Sequence, residues 1–168
     1  PDGVPHALII GDTHTGQLTD QREWLRNHSF DHLFVQFRRA DLAAFDHPSK
    51  HWLPPAANPR TWVHVPDAVK EHDVLFCGST NPDAHGDRVE LIRFLKRELG
   101  EERVVVRHLF GERAALAMNR ARVVLNRSLA GDLNRRVPEA MCTGARLVAD
   151  AGDGTGEFKG IACYRTPE

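Results

Sequence analysis

The sequence predicts an α/β fold, a parallel β-sheet with flanking helices, on three observations. Short apolar runs of strand length recur through the second half of the chain, and stretches with apolar residues at helical spacing separate them. Several of these runs end on glycine or small polar residues. Strands separated by helices of this length imply βαβ units, and successive βαβ units imply a parallel sheet.

In the first half, 6–12 (HALIIGD) and 31–37 (DHLFVQF) read as strands, with helical stretches near 18–27 and 38–46. The prolines of 51–60 (HWLPPAANPR) hold that segment extended. A domain boundary is expected near 61–71, dividing a partial α/β segment, 1–70, from a second unit, 71–168. In that unit 72–78 (HDVLFCG) is a buried parallel strand ending in glycine. Residues 86–100 place Val89, Ile92, Leu95 and Leu99 on one helical face, with Gly100 closing the helix. A strand at 103–110, a helix at 112–121 and a strand at 121–128 follow. A short helix is expected at 138–143, with Pro138 in its first position and Gly144 after it. Strands at 145–150 and 161–165 complete the pattern.

Composition excludes several classes. With 168 residues, 41% hydrophobic and 27% charged, the chain can bury a core and is not of disordered type. Twenty-two Lys and Arg against 23 Asp and Glu give a net charge of −1, unlike a dedicated nucleic-acid binder. No apolar run reaches the roughly 18–20 residues of a membrane span, and the first residues lack the basic start and apolar stretch of a signal peptide. Cys77, Cys142 and Cys163 share no metal-ligand spacing, so a reducing, cytoplasmic setting is expected. The balance is nevertheless uneven: residues 103–136 carry eight arginines against Glu112 and Asp132. Either a localised anionic partner such as a diphosphate or a solvated basic face accounts for that concentration.

Ligands in parallel sheets sit at the carboxyl ends of the strands. Here those ends read Gly78-Ser79-Thr80, Asn126-Arg127-Ser128 and Asp150 to Gly154. In the stretch from Gly131 to Gly144, Glu139 falls in the first turn of the short helix, with Arg135 and Arg136 upstream. A carboxylate there can accept from ribose hydroxyls while the arginines neutralise a diphosphate. It can equally do no more than complement the helix dipole, worth roughly 0.3–1 kcal/mol.

The run N126-R-S with G131-D-L-N-R-R-V-P-E-A-M-C-T-G-A-R-L-V-A-D150 resembles the donor-side signature of GT-B glycosyltransferases, and most nearly the CgeB/YkvP-like spore-protein glycosyltransferase family. D73-V-L-F-C-G-S79 followed by Arg88, and upstream F30-D-H-L-F34 with W52-L-P-P-A-A57, agree with it. The resemblance implies a Rossmann-like C-terminal domain of a GT-B enzyme plus part of the N-terminal, acceptor-side domain. Its substrates would be a nucleotide-diphosphate sugar and an unknown acceptor, without a cofactor or essential metal. It places Gly78 and Ser79 near the diphosphate or the transferred sugar, and Arg136 near the phosphates. Glu139 would take the donor ribose, and Arg88, Asn126, Thr155, Gly156 and Glu157 would complete the donor site. Related enzymes often carry a second Glu eight positions before Glu139, where this chain has Gly131. About 70 residues before the boundary are too few for a complete first domain, so a piece of a longer protein is expected, with activity in isolation open. A non-catalytic nucleotide-sugar-binding module of the same fold is the alternative.

A third possibility starts from I10-G-D-T-H-T-G16, because Asp-x-His at a strand end opens dinuclear metallophosphoesterases. That chemistry needs further Asp- and His-bearing segments to build a second metal site, and none follows. Asp12 and His14 are then candidates for the acceptor side of the cleft, or members of a surface loop.

Overall fold

The computed structural model of the chain describes residues 3–11 and 17–164. Asp12 and His14 lie outside the described residues. The architecture is α/β, with two parallel sheets flanked by helices.

The first sheet has three strands, β1 (Ala7–Ile10), β2 (His32–Val35) and β3 (Lys50–Trp52), in the order β1-β2-β3, with helix α1 (Gln17–Arg26) connecting the first two. Ile10, Leu33, Val35 and Phe45 form its small core. The second sheet has five: β4 (His72–Cys77), β5 (Val104–Arg107), β6 (Ala121–Asn126), β7 (Arg146–Asp150) and β8 (Ala162–Tyr164). Helices α2 (Pro82–Leu99), α3 (Gly111–Asn119) and α4 (Arg136–Cys142) connect four of them. The order is β5-β4-β6-β7-β8, all parallel. After β5 the chain crosses back over β4 to lay down β6, so the strand order reverses between β4 and β6. A crevice opens at the carboxyl ends of two strands related in this way.

Alternation along the strands sorts the core onto two faces. Leu75 and Cys77 of β4 and Val124 of β6 pack with Met118, Leu133, Val137 and Leu147 on one side. Their neighbours Phe76 and Leu125 pack with Ile92 of α2 on the other. The connecting segment belongs to the second sheet. Trp62 is buried in its core, and Asn119 accepts from the Val65 amide at 2.7 Å and donates to the Val63 carbonyl at 2.9 Å. The two sheets are tied by the Leu133 amide donating to the Phe37 carbonyl (3.2 Å) and the Ala40 amide to the Asp153 carboxylate (2.7 Å). Arg39 adds an ion pair to Glu157 at 2.9 Å and stacks over Trp52.

Several elements differ from the sequence expectation, each for a local reason. Helix α2 begins at Pro82 rather than 86, because Asn81 caps it by accepting from the Asp83 amide and Pro82 fits the first position. His85, with φ −142° and ψ 44°, kinks it just before Gly86. The strand expected at 103–110 is only Val104–Arg107, preceded by a 3-10 turn at Glu101–Arg103. Helix α4 starts at Arg136, which makes Pro138 its third residue; Asn134 Oδ1 accepts from the Arg136 amide. The stretch 38–46 is a 3-10 turn, Arg39–Ala44, and the extended segment 51–60 opens with β3.

Gly144 ends α4 with φ +68°, and a side chain there would meet the ring of His64, whose Nδ1 bonds the Thr143 carbonyl at 2.8 Å. Gly144→Ala is therefore expected to cost about 1–2 kcal/mol from the left-handed backbone alone, with displacement of His64 adding to it. Urea unfolding midpoints check this.

Candidate functional site

At the reversal between β4 and β6 a cavity of about 590 Å³ opens. Its floor is Phe76, Cys77 and Gly78 at the end of β4, with Asn126 and Arg127 at the end of β6. One wall is the loop 129–136 with Glu139 of α4; the other is Phe37, Ala56 to Asn58, Thr61 and Trp62 from the first half. Phe110 and Gly111, at the start of α3, stand at its lip.

Of the residues the sequence points to, Gly78, Arg88, Asn126, Arg136 and Glu139 come together in this cavity. Gly78 approaches its surroundings closely, since a Cβ there would lie 3.3 Å from the Phe76 ring. Ser79 is beside the cavity rather than among its lining residues, and its carbonyl accepts from Arg88 at 2.8 Å. Thr155, Gly156 and Glu157 form a separate 3-10 turn outside the cavity lining. There Thr155 Oγ1 donates to the Gly152 carbonyl, and Glu157 is engaged by Arg39.

Arg88 fastens the floor. One guanidinium nitrogen donates to the Ser79 carbonyl and another to the Arg127 carbonyl at 2.7 Å, joining the ends of β4 and β6, while the group stacks over Phe76. Burial pulls its pKa below the usual guanidinium value, opposed by the charges of Asp150 and Asp132. Asp150, buried at the end of β7, accepts from the Ser128 amide (2.9 Å) and the Ser128 hydroxyl and lies 3.5 Å from Arg127. Burial, and then the Asp150 charge, push the Tyr164 hydroxyl up to about 12. That hydroxyl donates to the Asn126 carbonyl. The strand ends beneath the cavity are thus held by a connected polar network.

On the wall, Arg136 Nη1 lies 2.7 Å from Glu139 Oε2, one helical turn away, as a close ion pair outside hydrogen-bond alignment. The same guanidinium sits 5.8 Å from the Trp62 ring centroid. Burial raises the Glu139 pKa above the ordinary carboxylate value, with Arg136 and Arg135 pulling it back. Because the folded state holds this proton more tightly, its contribution to stability falls as pH rises from the ordinary carboxylate range through the raised value. Wild type is therefore expected to lose stability relative to Glu139→Gln as pH is raised from about 4 to 7, read from urea midpoints across that range.

The geometry adds Asp132 and Phe37, which the sequence did not assign to the site, and brings the strand-end Arg127 and the upstream Arg135 into it. Asp132, one position after Gly131, is 5% exposed and lines the cavity. Arg127 and Arg135 join Arg88 and Arg136, so four arginines line the space. Phe37 holds φ 65°, a left-handed conformation uncommon outside glycine, with its carbonyl engaged by Leu133. Among the described residues no three His, Cys, Asp or Glu side chains gather as a metal-ligand set, and no helix is long and apolar enough to cross a membrane. The arrangement can hold a ligand with an anionic end and a hydroxyl-rich part: cations on two sides, carboxylates at Asp132 and Glu139, and an apolar, aromatic lip.

No protein-family model matches the chain, and no curated protein sequence matches it. Among solved structures, it is similar to sucrose-phosphate synthase from Thermosynechococcus elongatus, with a TM-score of 0.57 at 11% identity. The match covers 99% of this chain and 62% of that one, so the chain spans less than two thirds of its structural neighbour. At that identity the likeness is one of fold: the chain matches a Rossmann-like part of the GT-B glycosyltransferase fold.

Proposed function

We propose that the chain is the donor-binding part of a GT-B glycosyltransferase, moving a sugar from a nucleotide-diphosphate donor to an acceptor. One observation carries the reading: at the strand-order reversal, Arg127, Arg135 and Arg136 share a cavity with Glu139 and Asp132. Residues 71–168 then bind the donor, and 1–70 supply a partial acceptor-side wall. The narrower CgeB-like assignment rests on the motif resemblance of 126–150 alone. The three free cysteines suit a reducing, cytoplasmic setting.

In such a transfer the bond between the sugar's anomeric carbon and the diphosphate oxygen breaks, the acceptor oxygen attacks that carbon, and negative charge grows on the leaving diphosphate. Cations fixed in place before the reaction stabilise that charge most effectively. Arg136 has five N–H donors, so it can keep its contact with Glu139 while turning others toward phosphate. Glu139 accepts from the ribose hydroxyls, and Asp132 is placed to accept from the sugar. Arg88 acts through the floor as a positioning residue, holding the Ser79 and Arg127 backbones. We assign neutralisation of the diphosphate to the arginines.

The test is nucleoside diphosphate release from a panel of nucleotide-diphosphate sugars, with water as acceptor. Slow release from one donor, reduced at least tenfold in Asp132→Asn, is the expected result. Saturable donor binding without release would instead favour the non-catalytic module, and neither binding nor release would overturn the reading.

A further inference from the structure

The arginine-rich stretch 103–136 does not all serve the cavity just described. Arg127, Arg135 and Arg136 face it, but Arg103 and Arg122 lie at the opposite end of the five-stranded sheet. There a second cavity of about 510 Å³ is lined by Lys70, Asp73, Arg103, Arg122 and Arg146 around Val74 and Val123. We propose that this cavity is a second anion site, taking a phosphate-bearing ligand independently of the donor cleft.

Strand register builds the cluster. Val74 pairs with Val104 on one side and Val123 on the other, which sets Asp73 between Arg103 and Arg122 at the strand starts. Val123 pairs in turn with Arg146. Four neighbouring strands therefore carry a charged residue within one position of their starts, in the spatial order Arg103, Asp73, Arg122, Arg146, with Arg146 one register step further along than the other three. Asp73 holds both flanking guanidinium groups, at 2.6 Å from Arg103 Nε and 3.2 Å from Arg122 Nε. Both contacts are made through Nε, which leaves the terminal nitrogens of each guanidinium to other partners.

Elsewhere on this surface, ions pair one to one: Lys96 with Glu101, Arg97 with Glu98, Arg120 with Glu71. In the groove four cations share one lining carboxylate, with Glu102 acting on Arg103 only at longer range. Arg146 makes no ion pair among the described residues, and Lys70 is satisfied by the Asn119 carbonyl at 2.6 Å. Convergent positive charge in a concave site, with the fork geometry of guanidinium, selects phosphate oxygens.

The experiment titrates inorganic pyrophosphate into the full chain and follows backbone amides by NMR. Saturable shifts are expected at Val74, Val104 and Val123, separate from any at Gly78, Asn126 and Arg136 in the cleft. Arg122→Gln and Arg146→Gln should each weaken the groove response about fivefold. Arg113→Gln, which removes an exposed charge on α3 outside both cavities, should leave it unchanged. Arg146→Gln breaks no ion pair, so its effect is not a folding artefact. Sedimentation with phosphatidylserine vesicles, against phosphatidylcholine alone, tells the sources apart: vesicle capture lost in both groove variants assigns a lipid headgroup, and a pyrophosphate response without capture assigns a soluble phosphate. Silence at the groove amides with no vesicle capture overturns the proposal, as does a response that Arg113→Gln weakens as much as Arg122→Gln. Loss of the cleft response alone would bear on the donor site and leave this one standing.

Discussion

Asp150→Ala is expected to destabilise the protein by about 3 kcal/mol. Asp150 is buried and accepts from both the amide and the hydroxyl of Ser128, so truncation leaves two buried donors without a partner. It also removes the inner carboxylate beside Arg127, leaving that cation only the exposed Asp87 at 3.2 Å. Arg88 loses the largest favourable charge that offsets its burial. Breaking a buried pair from one side costs more than never having had it, because the remaining charge stays desolvated. Asp150→Asn should cost clearly less, since an amide oxygen can still accept from the Ser128 amide. Urea unfolding of the three proteins reads this, and a loss below about 1 kcal/mol in the alanine variant would show that the network contributes little.

Arg136→Ala is expected to weaken nucleoside diphosphate binding about tenfold to a hundredfold, the range for losing a charge-assisted hydrogen bond of roughly 1.5–3 kcal/mol. The side chain is largely buried, stacks near Trp62 and lies against Glu139, so its position is set before ligand arrives. Its loss also leaves Glu139 in a desolvated place without its nearest cation, which pushes that carboxyl further toward its neutral form. Arg136→Lys retains a point charge but not the planar fork, so it should recover only part of the affinity. Calorimetric titration measures all three, and equal affinity in wild type and Arg136→Ala would remove Arg136 from the site.

Much of the second sheet was legible because its strands are buried on both faces and so appear as continuous apolar runs, as in β4 and β6. Boundaries were less so. Leu109 and Phe110 extend the apolar run of β5, yet the backbone leaves the sheet at Arg107 and Phe110 is 69% exposed at the cavity lip. Strand β3 is three residues long and runs straight into Pro54 and Pro55, too short to display alternation.

The site shows the same division. Gly78, Asn126, Arg136 and Glu139 could be singled out because strand ends and a helix start are chemically marked, and Arg88 through the motif resemblance alone. Phe37, Ala56 to Asn58, Thr61 and Trp62 reach the cavity only through the packing of the first half against the second, for which no local signal exists. Asp132 was visible in the motif, but only the loop geometry brings it to the cavity lining, with its Oδ1 accepting from the Ala130 amide. The arginine-rich stretch misled in a different way. Parallel strands start at one end of the sheet and finish at the other, so this one run of sequence supplies Arg127, Arg135 and Arg136 to one cavity and Arg103 and Arg122 to the other.

The proposed function requires the cavity between β4 and β6 to bind a nucleoside diphosphate through its arginines and Glu139. Calorimetric titration of UDP, GDP, ADP and TDP into wild type and Glu139→Ala tests it most directly. Saturable binding of one nucleotide is expected, weakened by the substitution without a change in which nucleotide is preferred, because the ribose is common to the set. Absence of binding by any of the four, or binding that Glu139→Ala leaves untouched, would contradict it.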